Sequence, residues 1–174
     1  MNSIKSFIAL CFGCVTIAFF SSCADENDCS RTGRPMMHCA LMTTNPDTKE
    51  TKEYVLDSLT VTALGTDEKI IKNQKNVKSL VLPLRYTVDN TVLIFQYDPN
   101  RNPLHADTLY ITHKNDQQFQ SLECGFAIFQ TINAAKVGKS TSATQKHVME
   151  SAKIIFKEAN QYGKTNLEIH YKHR

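Results

Sequence analysis

The thiol of Cys23 has the most specific chemical surroundings of any side chain in this sequence. The chain opens with a single cation, Lys5, and continues with Phe7–Phe20, fourteen residues without a charge. An apolar run behind a positive charge is typical of an export signal, and this run is shorter than the roughly 20 residues that a spanning helix needs. Ser21 and Ser22 are the small residues that a signal peptidase requires before its cut. A thiol at this place can accept a diacylglycerol group.

The order Phe19-Phe20-Ser21-Ser22-Cys23 resembles the lipobox of bacterial lipoproteins, although Phe20 stands where a smaller aliphatic residue is more common. The resemblance implies a signal peptide over residues 1–22 and covalent diacylglycerol and fatty acyl groups on Cys23, with no other cofactor. Several acyl chains anchor a protein stably where one chain does not. The alternative is an ordinary secretory signal that is cut nearby, with Cys23 an incidental thiol.

Three carboxylates follow the cysteine within the five residues Ala24-Asp25-Glu26-Asn27-Asp28. A run like this is solvated and extended, so residues 23–34 are predicted to form an acidic tether ahead of a folded domain at residues 35–174. The run is similar to the export signal of surface-exposed lipoproteins of the Bacteroidota. This similarity implies an outer-membrane location with exposure at the cell surface. A plain tether without a sorting role is the alternative.

The charge of the mature chain is close to neutral. Without Lys5, 19 basic and 17 acidic residues remain, a formal net charge of +2. The sequence shows no basic face of the kind that binds nucleic acid, so we expect no nucleic-acid partner. The expected partners are the membrane, through the lipid, and a protein or glycan of the cell envelope. A chain of this length normally forms one domain.

Three thiols remain once Cys23 carries its lipid: Cys29, Cys39 and Cys124. Thiols tend to pair outside the cytoplasm, so one disulfide and one spare thiol are expected. Cys39 lies in the apolar run Met36–Met42, where it can serve as a small buried hydrophobe. We therefore predict a disulfide between Cys29 and Cys124, with the other pairings left open. Such a bridge closes a loop of about 95 residues and stabilises the fold by about 4.5 kcal/mol in the chain-entropy model.

Most of the chain after the tether alternates apolar and polar residues with the period of two that is typical of strands. In the clearest run, Tyr54–Leu64, Leu59 and Val61 point one way and Thr60 the other. The remaining predicted strands are Met36–Thr43, Leu80–Tyr86, Val92–Tyr97, Thr108–His113, Phe119–Thr131 and Leu167–Tyr171. Turn signals such as Asn115-Asp116 separate them. Seven or eight such strands predict an all-β fold, an antiparallel β-sandwich that is immunoglobulin-like or similar.

Lysine recurs every third residue from Lys69 to Lys78. The pattern indicates a solvated loop whose charges also protect a sheet edge. A cationic rim that attracts phosphate groups or acidic glycans is the alternative. Pro83 cannot donate to a ladder, so its strand belongs at an edge or contains a bulge. Most aromatic residues, among them Phe119 and Phe126, fall on alternating positions, which predicts that they lie in the core.

Residues 144–159 fit two structures. Val148 and Ala152 share one face at helical spacing, which favours a helix. The rival is a C-terminal hairpin in which Lys153–Lys157 pairs with Asn166–Tyr171 across a turn.

The whole mature chain resembles a family of small uncharacterised lipoproteins from the Bacteroidota. The features that carry the resemblance are Cys29, the run Leu80-Val81-Leu82-Pro83-Leu84, the segment Thr91–Gln96, the strand Asp107–Ile111, the pair Cys124-Gly125 and a closing hairpin. The resemblance implies an all-β fold that ends in a pair of strands, so the hairpin is preferred over the helix. It implies no activity.

No constellation in the sequence supports catalysis or metal binding. Gly138-Lys139-Ser140 lacks the earlier glycine of a phosphate-binding loop. His105 and His113 flank one strand. His170 and His173 would point to opposite faces of another strand, so no zinc site is predicted. We expect a non-catalytic binding or structural module. An envelope hydrolase with a site assembled from loops, and an adhesin or pilus-type subunit, are the alternatives.

Overall fold

The computed structural model describes residues 36–66, 69–97, 105–138, 145–159 and 163–173. The predicted signal peptide and tether, with Cys23 and Cys29, lie outside them. The described residues contain no helix, and so none that is long and apolar enough to cross a membrane. Their strands are β1 Met36–Thr44, β2 Thr51–Glu53, β3 Leu56–Ala63, β4 Lys69–Val77, β5 Ser79–Pro83, β6 Asn90–Gln96, β7 Ala106–Ser121, β8 Gly125–Gly138, β9 Met149–Ile154 and β10 Leu167–Tyr171.

The strands form two five-stranded sheets. The first has the order β2-β1-β10-β9, and β5 pairs with the half of β1 that β2 leaves open. The second has the order β4-β3-β6-β7-β8, and each pair in it is antiparallel. One pair, β1 with β10, is parallel, with Cys39 opposite Leu167. The predicted all-β sandwich is confirmed, with ten strands in the described ranges where seven or eight were expected.

The core lies between the sheets because one face of each inner strand is apolar. β10 buries Leu167, Ile169 and Tyr171 and turns the intervening residues outward. β6 does the same with Leu93 and Phe95. Each fully buried side chain of this size stabilises the fold by roughly 1.5–3 kcal/mol, because its apolar surface leaves water. The period of two therefore predicts the buried face of these strands correctly.

The chain joins the two sheets along both sides. After Val77 it passes from the second sheet into the first, since β4 pairs with β3 and β5 pairs with β1. At this crossing the N–H of Leu41 donates to the carbonyl of Lys78 at 3.0 Å. On the opposite side the residues after β9 reach β8, and the N–H of Ile132 donates to the carbonyl of Lys157 at 2.8 Å. The first of these bonds extends the β1–β5 pairing, and the second joins the two sheets directly.

The predicted C-terminal hairpin is present, with its first strand at Met149–Ile154 and not at the predicted Lys153–Lys157. β9 pairs antiparallel with β10, with Ile154 opposite Leu167 and Ala152 opposite Ile169. The helix alternative is wrong, because pairing with β10 satisfies the backbone of this segment and places it at the side of the first sheet. The interpretation of Pro83 is also confirmed. It ends β5, which pairs with β1 alone among the described strands.

The long hairpin of β7 and β8 differs from its prediction. The sequence predicts one strand over Phe119–Thr131, but the chain reverses at residues 122–124. Gly125 supplies the left-handed backbone at the end of this turn, with a φ of 68°. Asn115-Asp116, predicted as a turn, lies inside β7. The side-chain amide of Asn115 instead donates to the carbonyl of Val88 at 2.8 Å, a partner distant in sequence.

The lysine-rich segment is a strand and not a loop. Lys69, Lys72 and Lys75 lie on β4, an edge strand of the second sheet. The β3–β4 register shifts near Asn73, which has a φ of 47° and donates its N–H to Oγ1 of Thr60 at 3.0 Å. Cations and bulges on an edge strand hinder its pairing with another chain. The lysines therefore occupy the kind of sheet edge that their predicted protective role requires.

Candidate functional site

A buried carboxylate, Asp107, lies near the start of β7 on the same inner face as Leu109. Its Oδ2 accepts three hydrogen bonds. The donors are the hydroxyl of Tyr97 at 2.8 Å, the side-chain amide of Gln145 at 3.0 Å and the backbone N–H of Met149 at 2.8 Å. Because β9 belongs to the first sheet while β6 and β7 belong to the second, this carboxylate ties the two sheets together at one end of the sandwich.

Aromatic side chains extend this group toward the surface. The hydroxyls of Tyr97 and Tyr171 lie 3.4 Å apart, and the ring of Tyr171 stacks on that of Tyr54 with centroids 4.8 Å apart. The hydroxyl of Tyr54 is 2.9 Å from Nδ1 of His147. Nε2 of His147 is 3.7 Å from Oδ2 of the exposed Asp57. The Asp107 cluster is defined as Tyr54, Tyr97, Asp107, Gln145, His147 and Tyr171.

Burial keeps the hydroxyls of Tyr97 and Tyr171 protonated. Burial raises the pKa of Tyr97 well above its ordinary value, and the neighbouring Tyr171 and Asp107 raise it further. Burial also raises the pKa of Tyr171. A protonated phenol donates a hydrogen bond, whereas a nucleophile or a base needs a lowered pKa. These tyrosines are therefore suited to hold a carboxylate in place.

A second buried polar group surrounds His113, on the inner face of β7. Nε2 of His113 is 2.9 Å from Oγ1 of Thr91, and that oxygen accepts the backbone N–H of Arg85 at 2.9 Å. Burial lowers the pKa of His113, and the charge of Asp89 opposes this shift. The side-chain amide of Gln130 donates to the carbonyl of Arg85 at 2.9 Å. These contacts fasten the loop between β5 and β6 to the second sheet.

In the described part of the chain, no three His, Cys, Asp or Glu side chains are grouped so that they could hold a metal ion. His170 lies 3.4 Å from the carboxylate of Glu168 on the same strand.

The end of the β7–β8 hairpin carries exposed apolar side chains. Phe119 and Phe126 are opposite each other across the hairpin, with ring centroids 5.5 Å apart in an edge-to-face arrangement. They are 56% and 65% exposed, and Leu122 in the turn is 96% exposed. These three residues are the hairpin tip. The prediction that both phenylalanines lie in the core is wrong, because β7 runs on past Thr112, the last residue that pairs with β6.

The described cysteines differ in their surroundings. Cys39 is free and buried in the core, as its apolar neighbours predict, and burial raises the pKa of its thiol. Cys124 lies in the hairpin turn, where its N–H donates to Oγ of Ser121 at 3.0 Å. Its sulfur is disulfide-bonded. Because Cys29 lies outside the described residues, the pairing of Cys29 with Cys124 stays a prediction, as does the lipid on Cys23.

The sequence contained a signal for both buried polar groups. Asp107, Leu109, Ile111 and His113 alternate along β7 and share its inner face. A polar residue in phase with buried aliphatic residues indicates a buried group with hydrogen-bond partners. The partners themselves come from segments that are distant along the chain, and no local pattern reveals them.

The fold and these clusters define an all-β sandwich that is locked by buried polar groups and extended by one long hairpin. A family of unknown function, DUF6452, matches residues 58–171. The match covers more than half of the chain, and the chain belongs to this family. The matched region runs from within β3 to the last residue of β10, so it includes Asp107 and the hairpin tip. No curated protein and no solved structure matches the chain.

Proposed function

We propose that this chain is a lipoprotein of the outer membrane of the Bacteroidota, anchored through acyl groups on Cys23, whose sandwich is a non-catalytic binding or structural module. The observation that carries the proposal is the order of residues before Cys23: a cation, fourteen uncharged residues and two serines. This order favours export and lipidation at one thiol. The acidic residues 25–28 then act as a tether, and as an export signal to the cell surface.

The described cysteines support the predicted disulfide of this lipoprotein. Cys39 is free in the core, and Cys124 is disulfide-bonded in an exposed turn. Cys29 is the cysteine that remains closest to the folded domain once Cys23 carries lipid. A Cys29–Cys124 bridge fixes the end of the tether to the hairpin. Structural disulfides of this kind are typical of proteins outside the cytoplasm.

The Asp107 cluster supports a structural role for its ionisable groups. Oδ2 of Asp107 accepts hydrogen bonds from three segments of the chain. A carboxylate that holds three donors within the fold stabilises the packing of β6, β7 and β9. The rigid body that results is suited to present loops and edges to a partner.

The hydrolase alternative has one observation in its favour, which is the approach of His147 to a carboxylate. Both ring nitrogens of His147 already face other groups, Tyr54 at 2.9 Å and Asp57 at 3.7 Å. A general base needs a nitrogen aimed at a substrate proton. The adhesin alternative requires an edge that accepts a strand. The lysines and bulge of β4 oppose that kind of pairing along one edge.

Metabolic labelling with a radioactive fatty acid tests the proposed anchor. We expect the wild-type chain to carry label and to sediment with membranes, and Cys23→Ala to lose both properties. Cys11→Ala, in the apolar part of the signal, is the matched control and is expected to keep both. Equal labelling and retention of Cys23→Ala and the wild type would refute the anchor.

A further inference from the structure

We propose that the hairpin tip, formed by Phe119, Leu122 and Phe126, inserts into the interfacial region of the bilayer that holds the lipid anchor. The inference rests on the proposed function, because it uses the acyl groups on Cys23 and the Cys29–Cys124 disulfide. It adds a second, non-covalent membrane contact and a fixed orientation of the sandwich.

The shape of the hairpin is the first observation. β7 continues for nine residues past Thr112, where its pairing with β6 ends. Nine residues of strand span roughly 30 Å. The hairpin therefore places its turn well away from the Asp107 cluster, which lies at the other end of β7.

The second observation is the composition of the turn. Phe119, Leu122 and Phe126 are mostly exposed, and the two rings are held edge to face across the hairpin. Large apolar side chains that are grouped on an exposed surface mark a contact site. Here the cross-strand pairing already fixes the two rings, so the hairpin tip presents a preformed apolar wedge to its partner.

The short length of chain between the lipid anchor and the hairpin indicates that the hairpin tip contacts lipid. Cys124 lies between Leu122 and Phe126, and its sulfur is disulfide-bonded. With Cys29 as its partner, the disulfide lies six positions after the acylated Cys23, with five residues between them. Six residues of extended chain span at most about 20 Å. A turn tethered this closely to the acyl chains stays beside the bilayer surface.

The charges near this turn are mixed in sign. Asp25, Glu26 and Asp28 precede Cys29, and Arg31 and Arg34 follow it. Because these charges nearly balance, apolar contact and not charge attraction must hold the tip in place. We therefore expect membrane contact of the tip to change little with salt.

Tryptophan fluorescence in vesicles tests this inference, because the chain has no tryptophan of its own. Phe126→Trp places a reporter at the tip. Tyr110→Trp, on the paired strand β7 and 47% exposed, places a control roughly 30 Å away. Both full-length acylated variants are incorporated into phosphatidylcholine–phosphatidylethanolamine vesicles that carry a quencher on the upper acyl chain.

An apolar wedge inserted about 5–10 Å deep brings its ring to the quencher, so we expect at least a roughly twofold loss of fluorescence for Phe126→Trp. Tyr110→Trp is expected to keep nearly all of its signal. Equal, weak quenching of both variants, with Cys23 shown by mass spectrometry to be acylated, would overturn this inference and leave the anchor standing. An unmodified Cys23 would overturn both. Crosslinking of the tip to an envelope protein, with no quenching in vesicles, would replace lipid by a protein partner.

Discussion

Removal of the Asp107 carboxylate should destabilise the fold strongly without any ligand being involved. Oδ2 of Asp107 is the acceptor for the buried backbone N–H of Met149. In Asp107→Ala this N–H loses that acceptor, and an unsatisfied buried donor costs about 1–3 kcal/mol. The other two donors keep a second acceptor. The hydroxyl of Tyr97 can still donate to the hydroxyl of Tyr171, and the amide of Gln145 to the carbonyl of His147.

Those two donors still exchange a charged acceptor for a neutral one, and the deleted carboxylate leaves a small void. We therefore expect a total loss of about 3 kcal/mol in the free energy of unfolding, in the upper part of the range for single substitutions. Asp107→Asn keeps an oxygen acceptor and should lose less than Asp107→Ala. Asp116→Ala is the matched control. It removes an exposed carboxylate on the same strand that accepts from Gln118, and it should change stability by less than about 0.5 kcal/mol.

Equilibrium unfolding in urea, followed by circular dichroism with the disulfide intact, measures these differences. If Asp107→Ala unfolds at the wild-type midpoint, the carboxylate does not hold the sheets together. The Asp107 cluster would then have no structural role, and a carboxylate that is retained for binding or catalysis would become the better interpretation.

Three further predictions concern Cys124, Cys39 and His113. Non-reducing peptide mapping should recover Cys29 joined to Cys124, and alkylation of Cys124 without prior reduction would contradict this bridge. Cys124→Ala should lower the free energy of unfolding by about 4.5 kcal/mol. The buried thiol of Cys39 should resist alkylation until the chain unfolds. Burial lowers the pKa of His113 below its ordinary 6.5, so the unfolded chain binds the proton first as the pH falls. The stability that neutral His113 contributes is complete above about pH 6.5 and is lost as the pH falls toward the lowered pKa. Urea unfolding of both chains at about pH 7.5 and about pH 5.5 measures this loss. Between these two pH values, the free energy of unfolding should fall less in His113→Asn than in the wild type. An equal loss in both chains would contradict the shift.

Local patterns in the sequence predict the inner strands well. β10 has the bounds expected for it, and the closing hairpin is present, because alternation and turn residues in these segments agree with the burial that the sandwich imposes. The lysine-rich segment was harder to interpret, since its strand is mostly exposed and pairs irregularly with β3. A strand whose side chains are mostly exposed on both faces shows no clear period of two.

The candidate sites were less predictable because they depend on contacts between distant segments. The turn at residues 122–124 has one local marker, Gly125, while the more polar Asn115-Asp116 is held in a strand by the loop at Val88 and Asp89. Phe119 and Phe126 follow the alternation of core residues, yet the hairpin carries them beyond the sheet that would cover them. Asp107 was in phase with buried aliphatic residues, but its donors at residues 97, 145 and 149 could not be found without the fold.

The covalent state of Cys23 is the most direct test of the proposed function. Mass spectrometry of the N-terminal peptide of the mature protein, isolated from membranes of the native host, measures it. We predict that the mature chain begins at Cys23 and carries diacylglycerol and a fatty acyl group on that residue. A mature N terminus at another residue, or a Cys23 of unmodified mass, would contradict the lipoprotein assignment.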